Sequence, residues 1–358
     1  MSAVLRSERE QPAAAGQPLV RVMIVDDSLT VRTVFSRMLQ NEKDIGIVAT
    51  ASTAERALDE LKTRPVDVIM LDLEMPGMGG IEALPKILAA APAAQVLVIS
   101  SLTADGAEHT VQALSLGAAD TMLKPRPGGF TDDYRATLLG KIRALAGADA
   151  EAASPVPAKA PAGKRSQVIA IGASTGGIHA LNLFLRQVPK SFRLPILITQ
   201  HLPDSFIPVF AKQMELASGR PAVLADENVE LRAGHIFIAP GRGHMIVRKI
   251  GHRFVTGLAY HPVKSGCMPS VDPMFETLAE AFNGQVAAVL LSGMGRDGTE
   301  GAQAVARAGG SIYAQNADSC AVWGMPRAVT EMGLATAVET PDVLAGKVVA
   351  SAGADAWT

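Results

Sequence analysis

The sequence predicts an α/β protein of two domains, each built on a mainly parallel β-sheet with helices on both faces. Three observations support this. The chain has 358 residues, more than the roughly 100 to 200 of one typical domain. Short β-branched runs alternate with amphipathic stretches, which is the pattern of parallel sheets. A segment rich in alanine, proline and glycine interrupts that alternation near mid-chain.

The first domain is predicted over residues 19–143. Its strands are the runs VRVMIV, GIVAT, VDVIML, VLVIS and TMLK, with a helix from Ser28 to Gln40 after the first. A linker is predicted over residues 144–166, because AGADAEAASPVPAKAPAGK has no apolar period and is extended at its prolines. The first 18 residues read as a disordered tail.

The second domain is predicted over residues 167–350. Its strands include QVIAIGAS, LPILITQ and QVAAVLLSG, and a helix is expected over 177–187. Residues 221–260 hold short apolar runs broken by glycine and proline. We expect a β-hairpin or meander inserted into this domain.

Composition excludes several classes of function. Hydrophobic residues make up 48% of the chain and the formal net charge is −2, so no nucleic acid partner is indicated. No apolar run approaches the roughly 20 residues that span a bilayer, and the N-terminus lacks a secretory signal, so we predict a cytoplasmic protein without direct membrane insertion. Cys267 and Cys320 have no metal-ligand spacing and are predicted to be reduced structural thiols.

Acidic residues follow two strands of the first domain. Asp26 and Asp27 close the first strand and Asp72 closes VDVIML, so their carboxylates should meet where ligands bind in open α/β sheets. Three such anions repel each other, and an all-oxygen site suits Mg²⁺. Lys124 and Ser100 follow neighbouring strands and are able to neutralise and hydrogen-bond a phosphoryl group on Asp72.

A structural alternative also exists for these acids. Asp26 and Asp27 precede the helix that starts near Ser28, and Asp72 precedes a turn before Pro76. Each is therefore a candidate cap with no chemical role.

The motifs IVDDS, LDLEMPGMGG, VISS and LKP resemble the receiver domain of bacterial two-component response regulators over about Leu19 to Arg143. The resemblance implies a flavodoxin-like fold, Mg²⁺ held by the three aspartates, and phosphorylation of Asp72 by a histidine kinase. One departure is Thr121, where many receivers carry an aromatic switch residue.

A serine motif follows the first strand of the second domain. Gly172, Ser174 and Gly176 fit the G-x-S-x-G turn, which exposes a nucleophilic hydroxyl between strand and helix. A serine needs a base, and His201 is the best candidate because it follows the next strand. Asp297, in LLSGMGRDG, is the candidate carboxylate that orients the imidazole.

The same glycine-rich turn offers the backbone N–H of Met294 as an oxyanion donor. Histidines 235, 244, 252 and 261 lie in the glycine-rich insert, where a surface role is expected.

A dehydrogenase-type nucleotide loop is an alternative for GASTGGI, since Tyr260 and Lys264 have the Y-x-x-x-K spacing of short-chain dehydrogenases. Pro262 inside the supposed catalytic helix argues against it. A second alternative is a receiver fused to a non-catalytic adaptor whose serine loop only binds an anion.

The motifs IGASTGG, ITQHLP, SVDPMF, LLSGMGRDG, AQN and GMPRAV resemble the catalytic domain of chemotaxis-specific protein-glutamate methylesterases, the CheB family. The resemblance implies Ser174 as nucleophile, His201 as base, Asp297 as orienting acid and the Met294 amide in the oxyanion hole, on a doubly wound esterase fold without a cofactor.

The implied reaction is hydrolysis of γ-glutamyl methyl esters, and deamidation of glutamines, on methyl-accepting chemotaxis receptors. The implied phosphodonor is the chemotaxis histidine kinase. We expect a monomer in which the docked first domain covers the esterase site until Asp72 is phosphorylated.

Overall fold

A computed structural model describes residues 20–101, 103–125, 129–147, 163–352 and 357. The predicted tail and most of the predicted linker lie outside this part of the chain. Within it, no helix is long and apolar enough to cross a membrane. The predicted domain limits stay predictions; the last helix of the first domain continues to Leu145, two residues past the expected end.

The first domain is a five-stranded parallel sheet in the order β2-β1-β3-β4-β5, the flavodoxin-like order. Its central strand β3 is buried along its whole length, as expected where helices cover both faces. The strands are β1 (Val20–Val25), β2 (Ile45–Ala51), β3 (Val68–Asp72), β4 (Gln95–Ser100) and β5 (Asp120–Leu123).

The helices of this domain begin at capping hydroxyls. Ser28 Oγ accepts the N–H of Val31, and the hydroxyls of threonines 53, 103 and 131 cap three of the other four helices in the same way. The remaining helix, which begins at Gly80, has no side-chain cap. The cap at Ser28 confirms the start of the predicted helix. The helices are α1 (Leu29–Leu39), α2 (Ala54–Leu61), α3 (Gly80–Ala90), α4 (Ala104–Leu116) and α5 (Asp132–Leu145).

The second domain is a seven-stranded parallel sheet in the order β14-β13-β12-β6-β7-β9-β8. Strands β7 to β9 lie on one side of β6, and strands β12 to β14 lie on the other. The point where strand order switches is therefore between β6 and β12. The strands are β6 (Val168–Ala173), β7 (Ile196–Gln200), β8 (Ala222–Leu224), β9 (Ile236–Ile238), β12 (Val286–Leu290), β13 (Ser311–Gln315) and β14 (Ala337–Glu339).

A separate hairpin joins β10 (His244–Ile250) to β11 (Arg253–Ala259) in antiparallel pairing. The hairpin prediction is thus confirmed for residues 244–259. The earlier part of 221–260 instead supplies β8 and β9, which extend the main sheet. The helices are α6 (Gly177–Gln187), α7 (Ile207–Ser218), α8 (Asp272–Ala281), α9 (Thr299–Ala308), α10 (Met325–Glu331) and α11 (Pro341–Ala350).

Candidate functional site

An acidic pocket lies at the carboxyl ends of β1 and β3. One carboxylate oxygen from each of Asp26, Asp27 and Asp72 lies within 4.8 Å of the others. Lys124, just after β5, places its Nζ 2.6 Å from Asp72 Oδ2 and 3.1 Å from Asp26 Oδ2. The structure therefore brings the predicted acids and the predicted lysine together.

Capping explains half of the bonding in this pocket. Asp26 Oδ1 accepts the N–H of Ser28 at 2.9 Å, and Asp72 Oδ1 accepts the N–H of Glu74 at 3.1 Å. The second oxygens of both aspartates turn toward Lys124 instead. A pure capping role accounts for the first pair of oxygens and leaves the second unexplained.

The pocket residues fit Mg²⁺. Asp26 Oδ2 is buried and, among the described residues, has no hydrogen-bond partner beyond its ion pair with Lys124. A carboxylate oxygen with unused lone pairs, beside the carboxylates of Asp27 and Asp72, is the donor set this ion prefers. Burial raises the pKa of Asp72 to about 6, although Lys124 opposes the rise, so further positive charge would favour the ionised carboxylate.

Ser100 and Thr121 connect this pocket to β5. Ser100 is buried at the end of β4, its Oγ lies 3.4 Å from Thr121 Oγ1, and its carbonyl accepts the N–H of Lys124 at 2.7 Å. Thr121 thus meets, through a hydroxyl, the serine predicted to bind the phosphoryl group. The next residue toward the N-terminus, Asp120, reaches the second domain.

Ser174 lies on the turn between β6 and α6, at the switch in strand order. A Cβ at Gly172 would lie 2.6 Å from Val271 Cγ1, and Gly176 has a φ of +76°, which glycine adopts without strain. The first position therefore has no room for a side chain, and the second needs a backbone conformation that favours glycine. The N–H of Ser174 donates to Ser292 O at 3.0 Å, which fixes the turn against β12.

The half-buried His201 pairs with the buried Asp297 beside this turn. His201 Nε2 lies 2.8 Å from Asp297 Oδ2, and the His201 N–H donates to Ala173 O at 3.1 Å. Over the described part of the chain, no hydrogen bond joins Ser174 Oγ to His201. Because Nε2 faces the carboxylate, Nδ1 is the nitrogen left to accept a proton.

Two donors that the sequence did not indicate hold Asp297. Ser270 Oγ donates to Asp297 Oδ1 at 2.6 Å and the Val271 N–H to Oδ2 at 2.8 Å, while the Ser270 N–H donates to His244 Nδ1 at 3.0 Å. His244 is 1% exposed, so its expected surface role is wrong. The SVDPMF motif contained Ser270, but nothing in the sequence placed it against Asp297.

The charges of the pair stabilise each other. Burial opposes ionisation of Asp297, but its bonds to His201, Ser270 and Val271 outweigh burial and lower its pKa to about 2. Burial likewise lowers the pKa of His201, and Asp297 and Cys267 more than compensate, so that it lies above its usual range. The pKa of the neighbouring Asp272 is raised to about 7, chiefly because this carboxyl group is buried.

Met294 follows β12 in the loop that carries Asp297. Within the described residues its backbone N–H meets no acceptor, whereas the N–H of the preceding Gly293 donates to Val322 O at 3.0 Å. A Cβ at Gly293 would lie 2.8 Å from Ser174 Cβ, so this loop packs directly against the serine. A free amide in that loop suits an oxyanion donor.

Cys267 is a free thiol, as predicted, and it lies beside His201, which the sequence did not indicate. It is half-buried and its side chain contacts His201, with one ligand atom from each of Cys267, His201 and Asp297 within 4.8 Å of the others. Residues 260–271 follow β11 and bring the thiol to the edge of the sheet that carries Ser174 and His201.

Hydrogen bonds from the start of β5 hold the first domain against the serine turn, and we call this contact the β5 clasp. Thr175 Oγ1 donates to Asp120 Oδ2 at 2.7 Å, and the Gly176 N–H donates to Ala119 O at 2.5 Å. Lys141 Nζ holds the same Asp120 oxygen at 2.5 Å. The two residues after Ser174 are thus bonded to the strand that carries Thr121.

A cavity of about 520 Å³ remains between the domains. Ser174 and His201 line one side, and Thr121, Tyr134 and Lys141 line the other. This volume suits a small molecule, whereas a helix with its side chains is about 10–12 Å wide. An α-helix with its side chains therefore does not fit into this cavity.

These features define a class: a receiver-type domain docked on an α/β domain with a serine, histidine and aspartate at its switch point. Family models match accordingly, the response regulator receiver domain over residues 22–129 and the CheB methylesterase over residues 169–348. The chain belongs to the CheB methylesterase family.

Curated relatives match nearly the whole chain. It is 36% identical to the protein-glutamate methylesterase/protein-glutamine glutaminase 1 of Rhodospirillum rubrum, over 93% of this chain and 95% of the relative. It is 42% identical to protein-glutamate methylesterase/protein-glutamine glutaminase 2 of Caulobacter vibrioides, over 93% and 98%. The crystal structure of the Thermotoga maritima CheB methylesterase catalytic domain matches with 31% identity and a TM-score of 0.50, covering 52% of this chain and 98% of that one.

The dehydrogenase alternative is wrong. Tyr260 and Lys264 lie in an irregular segment after β11, not on a helix, and Lys264 is ion-paired with Glu300. The spacing of the two residues was a coincidence of sequence.

Proposed function

We propose that this chain is a phosphorylation-regulated protein-glutamate methylesterase and protein-glutamine glutaminase that acts on chemoreceptors. The observation that carries the proposal is the 2.8 Å bond between His201 Nε2 and Asp297 Oδ2 beside the Ser174 turn. The names of the relatives support the substrate class. Esters and amides of a glutamate side chain share one chemistry, since both present a carbonyl to a nucleophile.

The reaction begins when Ser174 Oγ attacks the side-chain carbonyl of the substrate and passes its proton to His201 Nδ1. Asp297 accepts the Nε2–H bond and stabilises the imidazolium. The free N–H of Met294 donates to the oxyanion. Methoxide or ammonia leaves with the proton from His201, and water then attacks the acyl-serine with His201 again as base, restoring the serine and a free glutamate.

Regulation would begin at the acidic pocket. A chemotaxis histidine kinase transfers its phosphoryl group to Asp72, where Lys124 and Ser100 offer a cation and a hydroxyl. Asp26, Asp27 and Asp72 would hold Mg²⁺, which when bound would supply positive charge to the phosphoryl oxygens. The added charge, about −1.5 to −2, would shift the β5 clasp toward its released state.

The cellular setting follows from this substrate. Methylated glutamates of such receptors lie on cytoplasmic helices, so we infer a cytoplasmic enzyme. It would work as a monomer, because both domains of the proposed switch are in one chain.

The test is release of labelled methanol from receptor methyl esters. We expect Ser174→Ala to lower the rate by about 10³-fold or more, since the nucleophile is lost. Ser191→Ala, at an exposed serine of the same domain, is the matched control and should keep the wild-type rate. Equal release by wild type and Ser174→Ala would reject the serine mechanism and favour the adaptor alternative.

A further inference from the structure

A set of mixed soft and hard ligands lies at the esterase site, and the proposed reaction leaves one of its members unused. Cys267 contacts His201, and its Sγ belongs to a group of ligand atoms, with His201 and Asp297, that lie within 4.8 Å of one another. Neither the ester chemistry nor the clasp employs the thiol. We propose that His201, Cys267 and Asp297 form an inhibitory site for a thiophilic divalent cation, with Zn²⁺ as the ion it fits best.

The donor set matches this ion. Zn²⁺ is bound by imidazole, thiolate and carboxylate with bonds of about 2.0–2.3 Å, which in a tetrahedron separates ligand atoms by about 3.3–3.8 Å. The three atoms start within 4.8 Å, so an adjustment of about 1 Å closes the site. His201 also lines the interdomain cavity, which leaves the fourth position open to water.

The surroundings hold the ligands in place. Ser270 Oγ and the Val271 N–H fix the Asp297 carboxylate at 2.6 Å and 2.8 Å, as outer hydrogen bonds do in metal sites. A thiolate at Cys267 and the carboxylate at Asp297 together balance the charge of the ion. Binding releases the thiol proton and the proton shared by His201 and Asp297.

The acidic pocket differs in a way that separates the two sites. Asp26, Asp27 and Asp72 offer only oxygen, with Lys124 among them, which suits Mg²⁺. Sulfur and imidazole select softer ions. The chain thus carries one hard and one soft candidate site within the described residues.

The consequence is inhibition. An ion shared with Asp297 and Cys267 takes the place of the Nε2–H bond between His201 and Asp297. The bound imidazole then carries its proton on Nδ1, so it cannot accept the Ser174 proton and the serine loses its base. This consequence rests on the proposed function, whereas metal binding itself does not.

The binding experiment uses the full chain, stripped with EDTA and kept in excess Mg²⁺ to fill the acidic pocket. We expect equilibrium dialysis to show one Zn²⁺ per chain, and Co²⁺ to give a thiolate-to-metal absorption band. Cys267→Ser should remove the band and weaken Zn²⁺ binding at least about 100-fold, beyond the loss typical of outer-shell changes. Cys320→Ser is the matched control, because burial raises the pKa of Cys320 to about 12 and it should bind like wild type.

The outcomes are distinct. Equal Zn²⁺ binding by wild type and Cys267→Ser, or no thiolate band, overturns the site whatever the activity. In the ester assay, micromolar Zn²⁺ should inhibit wild type and Cys320→Ser, reversibly with EDTA, but not Cys267→Ser. Binding without inhibition would overturn the inhibitory role, and loss of activity in Ser174→Ala tests the esterase separately.

Discussion

The acidic pocket and the esterase site occupy the same topological position in their two sheets yet hold their buried aspartates differently. Asp72 has a single strong partner, Lys124 at 2.6 Å, and burial still raises its pKa. Asp297 has three donors and a pKa lowered to about 2. Burial thus dominates at Asp72 and favours its neutral form, whereas hydrogen bonding dominates at Asp297 and favours its ionised form.

The largest expected effect tests this difference at Asp297. Asp297→Asn should keep the bond from Ser270 but present an amide nitrogen to both His201 Nε2 and the Val271 N–H, which donate to the same Asp297 oxygen. We expect the wrong tautomer of His201 and a kcat lower by about 10⁴-fold. Asp272→Asn is the matched control, since Asp272, whose pKa is raised to about 7, is closely mimicked by a neutral amide. Steady-state hydrolysis of a receptor ester measures both, and similar losses would deny Asp297 a special role.

A smaller loss is expected from the residue that positions Asp297. Ser270→Ala removes a bond to a charged group, worth about 1.5–3 kcal/mol, or about 10- to 100-fold in kcat. Ser270→Thr should restore most of the rate because it keeps the hydroxyl. An unchanged pH profile and rate in Ser270→Ala would show that Val271 alone fixes the carboxylate.

The pH dependence of kcat/KM tests the esterase site through the protonation of His201. The pKa of His201 is raised by Asp297, and only neutral His201 accepts the serine proton. Below that pKa, kcat/KM should therefore rise about tenfold per pH unit, and above it the rate should level. A profile that is flat from about pH 6 upward would contradict a raised pKa.

The smallest expected effect concerns the clasp between the two regions. Asp120→Ala removes the bond to Thr175 and should raise the activity of the unphosphorylated chain about fivefold, for about 1 kcal/mol lost from the docked state. Asp59→Ala, which breaks an exposed ion pair with Lys62 on α2, is the control. With acetyl phosphate, wild type should approach the Asp120→Ala rate and Asp72→Asn should not; no gain in Asp120→Ala would reject the clasp as a restraint.

The sequence by itself determined the two parallel sheets, because β-branched runs and amphipathic helices alternate locally. It also determined which residues lie at or just after strand ends. Asp72, Ser174 and His201 were found because the carboxyl ends of parallel strands share one edge of the sheet. Their joint roles as catalytic and phosphoacceptor groups stay predictions.

Only the tertiary structure decided which other side chains contact these residues and hold them in place. Ser270, His244 and Cys267 reach the site from the segment around the hairpin, and Asp120 reaches Thr175 from another domain. Such contacts join positions far apart in the chain through packing of whole elements, and no local pattern of residues encodes that distance.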